Sequence, residues 1–248
     1  MADKGLYEPI NTLKPVAPDI WIADGPEARM ATPLGGMPFP TRMSVVRLRD
    51  GALWCHSPIA PDERLLAEID SLGPVRHLVS PNPLHYASIG AWKRRYPDAL
   101  AWASPGVRKR AALQKIEVAF DVDLADTPPE AWSADIDHVH FRGSRVIEEF
   151  VFFHRASATV ILADLIENFE APKLTRGMRW VARLGGVLDP DGKTPLDMRM
   201  TFFGGKQIAR GCLEKILAWH PCRAILAHGR WYAENAEAEL HRAFRWLD

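Results

Sequence analysis

The sequence predicts an α/β (α+β) protein of mixed β-sheets with helices on their outer faces. Short apolar runs of strand length alternate with helix-spaced segments in both halves of the 248-residue chain. Hairpin signals interrupt the alternation, so the sheets are mixed rather than purely parallel. Four of the runs end in chemically useful side chains: Leu53–Cys55 in His56, Leu78-Val79 in the stretch Ser80 to His85, Thr159–Ala163 in Asp164, and Arg223–Ala227 in His228.

The elements follow in order. Ile20-Trp21-Ile22 reads as a short strand, followed by a Gly/Pro-rich loop from Gly25 to Pro40. Met43–Leu48 and Ala52–Cys55 flank Asp50-Gly51, a hairpin turn because both positions tolerate positive φ. Pro61-Asp62-Glu63 opens a helix with Leu65, Leu66 and Ile69 on one face, and Gly73-Pro74 ends it. Val75–Val79 reads as a buried strand, Ala87–Tyr96 as a helix, Leu100–Ala103 as a strand and Pro105–Lys115 as a basic helix start. Asp137–Phe141, Glu149–His154 and Thr159–Ala163 give three successive strands. Glu167 to Thr201 has no sustained period and reads as irregular, apart from one amphipathic stretch. Gln207–Trp219 repeats apolar residues at helical spacing, Ala224–Ala227 is a strand, and Asn235–Trp246 is a terminal helix. No low-complexity linker divides the chain, so residues 1–248 read as one domain of two β-rich halves.

Composition narrows the class. Hydrophobic residues at 47% and charged residues at 25% are ordinary for a globular chain that buries its own core. Lys plus Arg and Asp plus Glu stand at 31 each, so net charge argues for neither a nucleic-acid partner nor an acidic membrane surface, and no nucleic acid is expected. Cys55, Cys212 and Cys222 have no CxxC spacing and an odd count, so no disulfide framework is expected. Cys55 and Cys222 sit in apolar runs and read as core thiols. The first 14 residues lack a signal-peptide core, and no apolar window reaches the roughly 18 residues of a membrane span. A cytoplasmic protein with no transmembrane segment is the expectation; oligomeric state is not legible.

Two histidines and a carboxylate at strand ends, His85, Asp164 and His228, suit one divalent ion, with His56 as a further candidate ligand. Their order along the chain resembles the metallo-β-lactamase fold over roughly residues 16 to 235. That resemblance implies an αββα sandwich of two mixed sheets with helices on the outer faces and a metal site along one edge. The His-x-His-x-Asp-His motif of that fold is represented here by Ser80, Asn82, Leu84 and His85. A further ligand histidine is represented by Ser144 after Gly143, and the early Asp-Thr-Gly aspartate by His56. Asp164 and His228 match the bridging aspartate and the last histidine.

Trp54 to Ile59, Pro81 to His85, Phe141 to Ser144, Phe152 to His154 and Asp164 to Ile166 are similar to an uncharacterised branch of that superfamily, a domain of unknown function. Tyr86 stands where that branch commonly has a second histidine.

By this resemblance the first metal position has become Ser80, Asn82 and Ser144, which are poor zinc ligands. The second position keeps His85, Asp164 and His228 but has Leu84 in place of its aspartate. Three ligands with an open position suit one zinc, iron(II) or manganese ion, which polarises a carbonyl or phosphoryl oxygen. The competing reading is a metal-free polar cluster in which Ser80, Asn82, Ser144 and His56 line a pocket for a small-molecule ligand. If the protein is an enzyme, it is a metal-dependent hydrolase. Glu148-Glu149 reads as an exposed charge pair. Lys173, Arg176, Arg179 and Arg183 alternate with Leu174, Met178, Trp180 and Leu184, as expected of a helix packed on the core. A lid, a partner surface and a peripheral membrane contact are the alternatives.

Overall fold

The computed structural model describes residues 5–32 and 35–248. Residues 1–4, at the start of the segment read as lacking a signal peptide, and 33–34, inside the expected Gly/Pro-rich loop, lie outside that description. Eleven strands form two sheets. The larger runs in chain order: β1 (Leu13–Ala17), β2 (Ile20–Thr32), β3 (Gly35–Arg47), β4 (Leu53–His56), β5 (Val75–Ser80), β6 (Leu100–Ala103) and β7 (Val122–Asp123). The first four pair antiparallel, and β4 through β7 pair parallel. The smaller sheet is ordered β11 (Arg223–Leu226), β10 (Thr159–Leu162), β9 (Glu149–His154) and β8 (Ile136–Phe141), with β10 and β11 parallel. Both sheets are mixed, as the sequence predicts.

The helices α1 (Glu63–Leu72), α2 (Ile89–Arg95) and α3 (Val107–Leu113) join the parallel strands of the large sheet. Asp62 caps α1 by accepting from the Arg64 and Leu65 amides, and Leu65 and Ile69 are buried. Leu65, Ile69, Ile89, Trp92 and Val107 pack with Val45, Cys55 and Leu78 on the outer face of that sheet. The helices α6 (Lys206–Leu217) and α7 (Ala236–Phe244) cover the small sheet in the same way, through Ala209, Ile216, Leu240 and Phe244 on Val151, Leu162 and Leu226. Between the sheets, Ile20, Val46, Trp54, Val79 and Trp102 meet Phe150, Phe152, Ile161 and Ile225. The layers are helix, sheet, sheet, helix.

Four expectations give way. Gly25 to Pro40 is not a loop over its described length: β2 and β3 form a long antiparallel ribbon with a register shift between Gly25 and Ala28. Proline breaks a strand only where its missing N–H is needed, and Pro38 and Pro40 lie on a part of β3 whose only neighbour is β2. The stretch from Glu167 to Thr201 contains two helices, α4 (Arg176–Gly185) and α5 (Leu196–Thr201). Of these, α4 buries only Ala182, so it is not a helix packed on the core by its apolar side. Cys222 is exposed, because Pro221-Cys222 turns into β11 rather than entering it; Cys55 and Cys212 are buried, and all three thiols are free. Among the described residues no helix is long and apolar enough to cross a membrane.

Two glycines fix how loops approach the sheets. Gly143, at φ +113°, lies against Gly205 so closely that a Cβ on it would sit 2.5 Å from the Gly205 carbonyl oxygen. Gly229, at φ +89°, would place a Cβ 2.2 Å from the Asn168 carbonyl oxygen. Only glycine fits either place.

Candidate metal centre

The polar side chains that end the strands are gathered by three local devices. After β5, the Asn82 side-chain carbonyl accepts from the backbone amides of Leu84 (2.8 Å) and His85 (3.2 Å), a turn that points His85 back over the sheet edge. After β10, the two Glu149 carboxylate oxygens accept from the amides of Ala163 (2.8 Å) and Asp164 (2.7 Å). After β11, the buried Arg42 guanidinium donates to the carbonyls of Leu226 (2.6 Å) and Gly229 (2.8 Å), bracketing His228. Arg42 is itself held by Asp24 at 2.8 Å.

These devices bring His85, Asp164 and His228 together. His85 Nε2 is 3.2 Å from Asp164 Oδ2, His228 Nε2 is 3.2 Å from Asp164 Oδ1, and the two Nε2 atoms are 3.3 Å apart. They form the one group of three potential ligand side chains that converges among the described residues.

The tautomer of His228 follows from its other nitrogen. Nδ1 lies 2.8 Å from the Pro40 carbonyl, which can only accept, so Nδ1 carries a proton and, in the neutral imidazole, Nε2 carries the lone pair. His85 Nδ1 is hydrogen-bonded to Ser57 Oγ. Lone pairs of nitrogen and carboxylate oxygen at such separations repel unless a proton or a metal ion stands between them.

Ligand atoms around a tetrahedral ion with bonds of 2.0–2.1 Å are spaced by about 3.3 Å. The Nε2–Nε2 separation matches that edge, each imidazole faces a different oxygen of the Asp164 carboxylate, and two imidazoles with one carboxylate are a donor set for zinc or iron(II). The residues present fit such an ion. Burial pushes the Asp164 carboxyl up, but without a metal ion the charge of a protonated His85 and N–H donation from His228 and His85 override it and hold the group well below the usual carboxylate range.

The other predicted site residues have different fates. Asn82 uses its amide to donate to Glu149 (2.8 Å) and Asp164 (2.7 Å), so both of its polar atoms are engaged within the protein. Ser80 donates to the Asn82 carbonyl at 3.0 Å, inside the same turn. Ser144 is taken up by Thr201 (2.7 Å) and by the Val146 and Ile147 amides. His56 is outside the converging group: it stacks on Trp54, packs edge-on to Phe152, and its Nε2 has no partner. Burial, with the nearby His85, pushes His56 down to about 3, so it is neutral.

Glu149 is the residue that sequence reasoning misjudged. It is buried rather than exposed, while its neighbour Glu148 pairs with His140 at 3.0 Å. Burial and the Asp164 charge push the Glu149 carboxyl up to about 7, against the pull of its three N–H donors. The signal was present, because Glu149 opens an otherwise apolar strand. Arg42, Ser57 and the half-buried Glu167 carried no comparable signal. Burial pushes Glu167 up to about 7, and His228 and Asp164 are among the charges it feels. Two surface hollows, one lined by His220, Cys222 and His241 and one by Asp70, Arg95 and Tyr96, lie apart from the trio.

A family model described as a domain of unknown function (DUF4336) matches residues 31–176. No curated protein matches the sequence. Among solved structures, a metallo-β-lactamase from Pontibacter korlensis is similar with TM-score 0.62 at 13% identity, covering 98% of each chain. The metallo-β-lactamase FIM-1 from Pseudomonas aeruginosa, in its mono-zinc form, gives TM-score 0.58 at 11% identity over 95% of each chain. The rubredoxin oxygen:oxidoreductase of the anaerobe Desulfovibrio gigas gives 0.63 at 10% identity, over 95% of this chain and 61% of that one. These likenesses establish the metallo-β-lactamase fold.

Proposed function

The chain belongs to the DUF4336 family, a domain of unknown function, and we propose that it is a single-domain protein whose degenerate site binds one divalent ion. His85, Asp164 and His228 hold that ion, and no second ion binds beside it. The observation that supports this reading is the approach of two Nε2 atoms, 3.3 Å apart, to the two oxygens of Asp164 at 3.2 Å each, together with the Nδ1 proton that Pro40 fixes on His228, which leaves Nε2 as the nitrogen that can ligate. Zinc, iron or manganese suits these donors. Asn82 supports the loss of a second position, because its amide bridges two carboxylates where the fold resemblance implies a ligand histidine. When bound, the ion supplies Lewis-acid polarisation of a ligand oxygen. Dinuclear hydrolysis is not part of this function. Three free thiols support a cytoplasmic setting.

Elemental analysis of protein purified without chelator or affinity metal tests the reading. About one ion per chain is expected, lost in His85→Ala and in Asp164→Asn. Two ions per chain, or none together with melting unaffected by added zinc, iron(II) or manganese, overturns it.

A second reading, a mononuclear metal-dependent hydrolase using the same trio, draws on Glu167. Glu167 precedes Asn168, whose amide donates to the His228 carbonyl at 3.3 Å, and burial pushes the Glu167 carboxyl up to about 7, in the range of a general base. Under that reading, Glu167→Gln abolishes ester or phosphoester hydrolysis and leaves the metal content unchanged.

A further inference from the structure

The helix α4 is turned inside out relative to a core helix. Its buried side is Ala182, with Met178 half-buried beside it, while Trp180 is 69% and Leu184 72% exposed. At about 100° per residue, Trp180, Leu184 and Val181 occupy roughly 100° of the outward surface. Arg176, Arg183 and Arg179 flank them on one side. The neighbouring α5 packs on α4, and Met200 and Phe203 at its C-terminal end are also exposed. Single exposed apolar residues need no explanation, but a run of bulky ones along one outward helix face does.

The charges along α4 itself are one-signed, while the neighbouring α5 carries Asp197 in its first turn. Lys173, Arg176, Arg179 and Arg183 are accompanied by no Asp or Glu between Glu170 and Asp189. Among the described residues, no carboxylate oxygen stands within 4.0 Å of the Arg176, Arg179 or Arg183 guanidinium. In a chain whose formal net charge is zero, this is a local concentration of uncompensated positive charge.

We propose that α4, with the adjoining end of α5, docks this protein on an anionic lipid surface. The exposed Trp180, Val181 and Leu184 enter the boundary between headgroups and acyl chains, a position that tryptophan's amphipathic ring favours. Arg176, Arg179 and Arg183 lie beside them and reach the anionic headgroups while their stems stay over the apolar layer.

A second copy of this chain is the poorer occupant, because a two-fold contact through this face sets the same arginines against each other. A protein partner with an apolar groove is also poorer. The ridge would need a complementary groove with acidic walls, whereas a bilayer deforms around it. The proposal is independent of metal at the His85, Asp164 and His228 site.

Vesicle flotation of the full chain tests it, comparing phosphatidylcholine alone with vesicles carrying about one third phosphatidylglycerol, at low and high salt. Binding is expected to the anionic vesicles only and to weaken with salt. The Trp180→Ala/Leu184→Ala variant is expected to lose at least about tenfold in partitioning. Arg176→Gln/Arg183→Gln is expected to lose about fivefold per arginine removed. Unchanged thermal unfolding of both variants keeps the comparison clean, since all four side chains are exposed. No binding to anionic vesicles overturns the proposal, as does binding that the variants leave intact. So does a concentration-dependent dimer that Trp180→Ala dissolves, because the face is then covered by a second copy.

Discussion

The Asn82 amide nitrogen lies 2.8 Å from the Glu149 carboxylate and 2.7 Å from that of Asp164, so one neutral side chain holds two buried acids apart. Its carbonyl meanwhile sets the turn that carries His85. The residue that the fold resemblance would assign to metal ligation works here as a brace between the strand ends.

Asn82→Ala therefore removes a donor from two buried carboxylates and the acceptor of two backbone amides. A loss of about 3 kcal/mol is expected, because a buried group stripped of its partner costs its full desolvation penalty. Urea unfolding reads this directly. Asn82→Asp should be worse, since it adds a third carboxyl to the cluster; equal stability of Asn82→Asp and the parent protein would contradict the account.

Acid should destabilise the fold through buried histidines. Burial pushes His77 down to about 4 and His56 down to about 3, whereas an unfolded histidine titrates near 6.5. Between those values the unfolded chain binds protons that the folded chain refuses, so stability falls as pH drops below 6.5. Each group contributes a slope of about 1.4 kcal/mol per pH unit across its window. His77 accepts from Trp102 Nε1 at 3.2 Å, and His77→Gln keeps an acceptor there while removing the titration. The pH dependence of unfolding in this variant should be shallower from 6.5 to about 4.

Gly229→Ala tests the loop that carries His228. A Cβ would collide with the Asn168 carbonyl oxygen at 2.2 Å, and the φ of +89° is already one that favours glycine. A loss of about 3 kcal/mol or more is expected in thermal unfolding, from strain plus collision. Divalent-ion binding by calorimetry should weaken as well, because His228 immediately precedes the displaced residue.

Arg42→Met removes the buried cation that pairs with Asp24 and donates to the Leu226 and Gly229 carbonyls. Breaking one partner of a buried pair costs about 3–5 kcal/mol. Hydrogen exchange should quicken first in β11 and its exit loop. Lys14, 2.7 Å from Asp24, retains part of that carboxylate's compensation.

Much of the fold was legible because local rules and tertiary context agree. Asp62 caps α1, Gly51 turns the hairpin at φ +84°, and the apolar runs at 75–79 and 159–163 are buried strands. The trio was legible for a similar reason: parallel strands end at the same edge of their layer, so their terminal polar residues are candidates to meet.

What failed depended on neighbours distant in sequence. Prolines in β3 are harmless only because the strand has one partner there. Glu149 is buried where Asn82, 67 positions earlier, and the Ala163 and Asp164 amides, 14 and 15 positions later, supply it with donors. Amphipathicity in α4 was visible, but periodicity does not say which side of a helix meets the protein.

His85 comes from the seven-stranded layer, and Asp164 and His228 come from the four-stranded one. A strand advances by about 3.3 Å per residue, almost the same as the gaps between the two imidazole nitrogens and the carboxylate oxygen each one faces. A slip of one residue between the layers would thus carry a donor atom past its neighbours. The trio works as a vernier on the alignment of the two layers. Core substitutions at Phe152 or Ile161, which pack between the two layers, would be felt as a detuned ion affinity before the fold itself gives way.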